Sequence, residues 1–281
     1  MHFADRLAAA VSATGTPLCV GIDPWPERLP YSRYGTDRSA QAVRASAFGR
    51  AVVEAAAGRV PAVKPQFAFF EQLGLPGIAA LAEVCGLARD AGLIVVGDAK
   101  RGDIGTTASA YANAVFGVDA PFPCDALTVS PYLGPDTVEA FLRPADAAEA
   151  GLFVLVRTSN AGSARWQAPV LDDLAAWLTE QGASRRGASG WSNVGAVVGA
   201  THPEALAALR VALPHAWLLV PGFGAQGGTS RDVAPALVDG QGALIVSARG
   251  ATFPDQYDAG YDADPEAWIA ARIDALKAEL G

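Results

Sequence analysis

Eight short apolar runs recur along the chain, at residues 18–22, 60–63, 93–97, 126–129, 152–156, 194–198, 217–220 and 243–246. Each is near-continuous in apolar character rather than alternating. That suits parallel strands covered on both faces, not antiparallel strands with one wet face. Parallel strands need long crossovers, and the intervening segments carry helix signals. Residues 39–57 place Val43, Ala47, Val52 and Ala55 on roughly one face, with Gly58 available to close the helix. Residues 78–91 do the same through Ile78, Leu81, Val84 and Leu87, and stop at Gly92. Thr201-His202-Pro203-Glu204 predicts a capping box with proline in the first turn. Asp264-Pro265-Glu266 opens a last helix through Ile269, Ile273, Leu276 and Leu280. Eight strands separated by helices predict a (β/α)8 TIM barrel, with an open doubly wound sheet as the second arrangement the pattern allows. The length, 281 residues, suits one barrel domain over 1–281 with no linker or repeat.

A barrel builds its active site at the C-terminal ends of its strands. Polar residues gather there in this chain. Asp23 follows the first run, Lys64-Pro65-Gln66 the second, and Asp98, Lys100 and Asp103 the third. Arg157-Thr158-Ser159-Asn160 follows the fifth, a glycine-rich stretch from Pro221 to Gly228 the seventh, and Arg249-Gly250 the eighth. The basic composition sharpens this. Only three of 21 positive residues are lysine: Lys64, Lys100 and Lys277. Arginine cannot release a proton near neutral pH, whereas lysine can. A lysine retained in so arginine-rich a chain suggests a need that arginine does not meet.

Residues i and i+2 of a strand share a side, so Asp98 and Lys100 should project together into the barrel mouth, with Lys64 pointing near them. Taken alone, the set fits a structural ion-pair network as well as a reactive one. The loops after strands seven and eight are the usual phosphate site of such barrels. Glycines there let backbone amides approach phosphate oxygens, Gln226 can donate an amide hydrogen bond, and Arg249 can pair with a dianion. The hydroxyls and amides of the fifth-strand loop can meet a flat polar ring, or serve only an ordinary turn.

Other chemistries find little footing. His2, His202 and His215 have no metal-ligand spacing. No G-x-S-x-G elbow or G-x-G-x-x-G fingerprint is present. Cys19, Cys85 and Cys124 form no CxxC and are expected as buried hydrophobes in a reducing compartment. The formal net charge of −8 without basic runs argues against nucleic-acid and anionic-membrane partners. No leader-like or membrane-spanning apolar stretch is visible, so a cytoplasmic location is expected.

The run Asp98-Ala99-Lys100-Arg101-Gly102-Asp103-Ile104 resembles the D-x-K-x-x-D-I signature of orotidine 5'-phosphate decarboxylases. The stretch from Val63 to Glu71, the run Arg157-Thr158-Ser159-Asn160 and the stretch from Pro221 to Gly228 look like the longer bacterial subgroup of that family. The resemblance holds its order over nearly the whole chain. It implies conversion of orotidine 5'-phosphate to UMP in de novo pyrimidine biosynthesis, with no cofactor or metal. It implies Lys100 as the acid that protonates C6, and Asp98 beside the departing carboxylate. Lys64 and Asp103 complete the implied charged tetrad. Asp23 and Lys64 would contact ribose, Ser159 the pyrimidine amide edge, and Gln226 and Arg249 the phosphate. Asp103 and Thr107 would enter the site of a partner subunit, so the resemblance implies a homodimer. Two positions depart from the pattern: Ala248 stands where Ser or Gly is common, and Ala161 where Pro is frequent.

The same signature occurs in Mg²⁺-dependent decarboxylases and aldolases of keto-sugar phosphates. Their metal needs an added acidic ligand near the end of the second strand, where this chain has Lys64, and a hard cation prefers oxygen ligands. A non-catalytic nucleotide-binding barrel would need the phosphate loop but not the charged set. A Schiff-base aldolase would need a neutral lysine, which Asp98 and Asp103 oppose.

Overall fold

The computed structural model describes residues 1–31, 34–117, 119–224, 227–256 and 258–281. Eight parallel strands close in sequence order: β1 Leu18–Ile22, β2 Ala62–Pro65, β3 Ile94–Arg101, β4 Ala126–Val129, β5 Gly151–Arg157, β6 Ser192–Val198, β7 Ala216–Pro221 and β8 Ala243–Ser247, with β8 pairing back onto β1. The closed barrel, not the open sheet, is the fold. Its principal helices are α1 Phe3–Thr14, α2 Arg38–Ala56, α3 Leu75–Asp90, α4 Gly105–Asn113, α5 Pro135–Ala147, α6 Leu171–Ala183, α7 Pro203–Ala212 and α8 Pro265–Leu280. A long helix follows every strand except β7, whose crossover holds the short helix Ser230–Val233.

The period of two within each strand divides the apolar residues into two cores. Leu18, Val20, Val63, Val95, Leu127, Leu218 and Ile245 face outward and pack with the helices. Cys19, Ala62, Ile94, Val96, Ala126, Phe153, Trp217, Leu219, Leu244 and Val246 form the inner cluster. Helix α1 contributes Phe3, Ala4, Leu7 and Val11 to that inner cluster, and the Phe3 ring meets Phe153 edge-on at 6.2 Å. Asp5 accepts the backbone amides of Ala188 and Ser189, Arg6 pairs with Asp125 at 2.8 Å, and Gln241 donates to the Ala8 carbonyl. All these partners precede strands, so α1 lies across the N-terminal end of the barrel and closes it. Truncating a fully buried Phe such as Phe3 to Ala removes about 3–5 kcal/mol in comparable cores.

Several boundaries differ from expectation. Strand β2 begins and ends two residues later than the apolar run, so Lys64 lies within the strand. Strand β3 continues to Arg101 and carries Asp98 and Lys100 inside it. Helix α2 starts at Arg38 because the Asp37 carboxylate caps the Ala40 amide at 3.0 Å. The capping box before α7 does not form. His202 takes the N-cap position without a side-chain bond, Pro203 opens the helix as expected, and the Thr201 hydroxyl turns instead to the Ser159 carbonyl at 3.3 Å. Cys19, Cys85 and Cys124 are buried free thiols. Among the described residues, no helix is long and apolar enough to cross a membrane.

Candidate active site

The inward parity of the strands continues past the apolar layers into polar ones. Cys19 is followed on its face by Gly21 and Asp23, Ala62 by Lys64, Val96 by Asp98, and Ala126 by Thr128. Their ends enclose a cavity of about 460 Å³ whose lining includes Asp23, Lys64, Gln66, Asp98, Lys100, Thr128, Ser159 and Arg249. That volume lies in the range of small-molecule sites.

Asp98 stands at its centre. Its Oδ2 accepts the Lys64 ammonium at 2.6 Å and the Gln66 amide at 2.8 Å. Its Oδ1 accepts the Lys100 ammonium at 2.5 Å and the Thr128 hydroxyl at 3.1 Å. Four donors fill the acceptor sites of one carboxylate. Burial alone would raise the Asp98 carboxyl, but the Lys64 and Lys100 charges and their hydrogen bonds outweigh it and hold the group well below the usual range. Burial would likewise lower Lys64, but the Asp98 and Asp23 charges hold it well above the ordinary lysine range. Lys64 is only 6% exposed at its side chain, whereas Lys100 is 46% exposed and reaches the cavity. The first is a fixed charge; the second is accessible to a ligand.

Lys100 also has an unusual backbone, with φ +47°. A side chain in this left-handed region costs about 1 kcal/mol or more. The cause lies in the β3–β4 ladder. Gly97 pairs with Leu127 and Arg101 with Val129, so Asp98, Ala99 and Lys100 stand opposite Thr128 alone.

Asp23 lines the same cavity. Burial pushes its carboxyl above the ordinary value against the lowering charge of Lys64, and its buried Oδ1 has no hydrogen-bond partner. Gly21, two residues earlier, gives space to Ala248: a Cβ built on Gly21 would stand 2.4 Å from the Ala248 methyl. This contact explains how Ala is accommodated at position 248.

Ser159 is set by two neighbouring segments. Gln167 accepts the Thr158 amide at 2.9 Å and donates to the Thr158 hydroxyl at 2.8 Å. A Cβ on Gly199 would lie 2.8 Å from the Ser159 Cα and Cβ, so the end of β6 admits the loop only without a side chain there. Thr128, Gln167 and Gly199 are site-forming residues that composition and spacing do not single out, whereas Gln66 stands among the polar residues expected at the strand ends.

At the opposite end, Arg249 lines the cavity and opens the short helix Arg249–Thr252, in which the Ala251 and Thr252 amides donate to the Ala248 carbonyl. The described glycines of the loop after β7 are tied to one another. The Gly224 amide donates to the Gly228 carbonyl, Gly227 to Gly224, and Gly228 to Gly222, all within 3.1 Å. These three amides are therefore not the free phosphate donors expected from the glycine spacing. Gln226 lies outside the described residues. Asp103 and Thr107 do not line the cavity of their own chain; the Asp103 carboxylate accepts the Ile104 amide at 2.8 Å, and Thr107 lies exposed on α4.

The comparisons agree with one another. Residues 16–253 match the family described as orotidine 5'-phosphate decarboxylase / HUMPS. An orotidine 5'-phosphate decarboxylase of Rhodopirellula baltica is 48% identical over 268 residues, covering 90% of this chain and 89% of the relative. One of Deinococcus radiodurans is 42% identical, covering 99% of this chain and 98% of the relative. A solved structure of Leishmania donovani OMP decarboxylase superposes with a TM-score of 0.74 at 34% identity, covering 99% of both chains. A likeness this long, strong in sequence and in fold alike, leaves one assignment: the chain belongs to the orotidine 5'-phosphate decarboxylase / HUMPS family.

Proposed function

We propose that this protein converts orotidine 5'-phosphate to UMP in de novo pyrimidine biosynthesis, without metal or organic cofactor. The observation that carries the reading is the Lys64–Asp98–Lys100 set, with one lysine buried and the other reaching the cavity. Loss of CO2 breaks the bond from C6 to the carboxylate and leaves its electron pair on C6. The ring offers that pair no sink. The Lys100 ammonium stabilises the developing charge and then delivers its proton to C6. The neutral amine regains a proton from solvent. Asp98 orients Lys100 and lies beside the departing carboxylate, where its negative charge is relieved as CO2 leaves.

The rest of the substrate follows from the lining. Asp23, with its unpartnered oxygen, and Lys64 take ribose hydroxyls. Ser159 meets the pyrimidine amide edge. Arg249 and Gln226 hold the phosphate, whose binding energy is remote from the reacting carbon and can order the loops around the ring. A metal-dependent variant of this chemistry is disfavoured by Lys64, whose ammonium occupies the position that would carry an extra acidic ligand.

The working unit in this reading is a cytoplasmic homodimer. Asp103 and Thr107 enter the partner's cavity and complete the tetrad there. In support, the flank carrying them exposes large apolar side chains: Ile104 at 63%, Tyr132 at 81% and Trp166 at 69%. Tyr132 and Trp166 also line an apolar groove beside the β4 and β5 loops.

The reading is tested by following the ultraviolet change of orotidine 5'-phosphate in the presence of EDTA. Conversion to UMP is expected to proceed. Activity abolished by EDTA and restored by Mg²⁺ would overturn the proposal.

A further inference from the structure

We propose that Thr128 is the positioning residue that holds Lys100 in its reactive place, a proposal that rests on the reading of Lys100 as the proton donor. Three residues of β3, Asp98 to Lys100, face Thr128 alone on β4, so β3 bulges. A bulge leaves backbone groups without their strand partners. Here the unpaired groups include the amides of Ala99 and Lys100. Both donate to the Thr128 hydroxyl oxygen, at 3.1 and 2.9 Å. The same hydroxyl has one proton to give, and the Asp98 Oδ1 lies 3.1 Å away to receive it.

A hydroxyl offers one donor and two acceptor lone pairs. Thr128 uses all three on one short stretch of β3. It thereby joins the backbone of Lys100, in its left-handed conformation, to the carboxylate that accepts the Lys100 ammonium. The two ends of Lys100 are referred to a single atom, the Thr128 Oγ1. That atom cannot drift, because Thr128 is only 1% exposed and its strand is paired on both sides. Valine would preserve the shape and the strand preference of Thr128 but supply none of these bonds. Without them the bulge has no reason to keep Lys100 at φ +47°, and the ammonium loses its registration against Asp98.

The test compares Thr128→Val, Thr128→Ser and Lys100→Ala in the full chain, with kcat, KM and UMP affinity measured for each. Misplacement of a reacting group by about 1 Å is enough to lower kcat about 100-fold, and that is the loss expected for Thr128→Val, with UMP affinity kept within about threefold. Thr128→Ser keeps the hydroxyl and is expected to recover most of the turnover. If Thr128→Val does not fold, Thr128→Cys takes its place, since a thiol donates and accepts only weakly. Near-normal kcat in the Val or Cys variant would overturn the proposal. So would a loss confined to KM, or a Ser variant as impaired as Val. Lys100→Ala separates the two levels of inference. If it keeps turnover, the assignment of the proton donor fails. If it is inactive while Thr128→Val is active, only the role of Thr128 fails.

Discussion

The Lys100 ammonium lies 2.5 Å from the Asp98 carboxylate two residues before it, while the other oxygen of that carboxylate is taken by Lys64. One carboxylate thus holds two lysines with different freedom. The accessible one is the proposed proton donor, and both charges hold the carboxylate in its ionised form. Lys100→Ala is therefore expected to retain UMP binding and lose at least about 1000-fold in kcat, within the scale of a lost acid together with lost charge stabilisation. Steady-state turnover and ligand titration on the same preparation check this.

Asp98→Asn takes from the buried Lys64 ammonium its ion-pair partner. Removing one partner of a buried pair costs about 3–5 kcal/mol, so the variant should unfold at clearly lower denaturant concentration as well as lose turnover. The pH dependence has a definite sign. The Asp98 carboxyl is held below its unfolded value, so its contribution is complete above the ordinary carboxylate range and is lost as pH falls through the folded value. The stability gap between wild type and Asp98→Asn should stay level from neutral pH to about pH 5 and narrow below about pH 4.

Asp23 has the opposite sign. Its carboxyl is raised by burial, so the folded state holds a proton that the unfolded state has released, and stability falls as pH rises through that window. Asp23→Asn without ligand should be more stable than wild type at neutral pH, with the difference vanishing at acid pH. The same change should weaken UMP binding about 10- to 100-fold, the scale of a lost charge-assisted hydrogen bond. Calorimetry across pH and ligand titration distinguish the two effects.

Mixing Lys100→Ala and Asp103→Ala chains tests the shared site. Neither homodimer should turn over substrate. A random mixture should recover about a quarter of the wild-type sites, because half the dimers are hybrids and each hybrid has one intact site. Verified hybrids without activity would refute the exchange of Asp103 between subunits.

Gly199→Ala probes the pyrimidine end. Its methyl would stand 2.8 Å from Ser159. The β5 loop must move, and overpacking of this kind typically costs about 1–3 kcal/mol. Weaker UMP binding is expected, with a larger effect on KM than in Thr128→Val. Unchanged KM would show that Ser159 does not contact the ligand.

The barrel is legible in the sequence because buried parallel strands are apolar on both faces. Lys64, Asp98 and Lys100 are legible because charge at the end of an apolar run is rare, and because two of only three lysines stand there. What is not legible depends on register between strands. The β3 bulge opposite Thr128 is a property of two strands together, and Thr128 in Ala-Leu-Thr-Val reads as an ordinary β-branched strand residue. Gly199 is silent for the same reason, since its need for space comes from Ser159 in the loop after another strand. The β2 boundary slips because Val60 and Pro61 extend the apolar run before the ladder begins. Spacing alone also does not show that the Gly224, Gly227 and Gly228 amides donate within their own loop.

Helix α1 makes the barrel a cul-de-sac. With Phe3 set against Phe153 at the closed end, traffic must pass through the one mouth where Lys100 stands. CO2 and UMP then share with the incoming substrate the mouth by which it arrived. Any segment that folds over the mouth to exclude water therefore governs both arrival and departure, and the pace of its reopening sets an upper bound on turnover however fast the bond at C6 breaks.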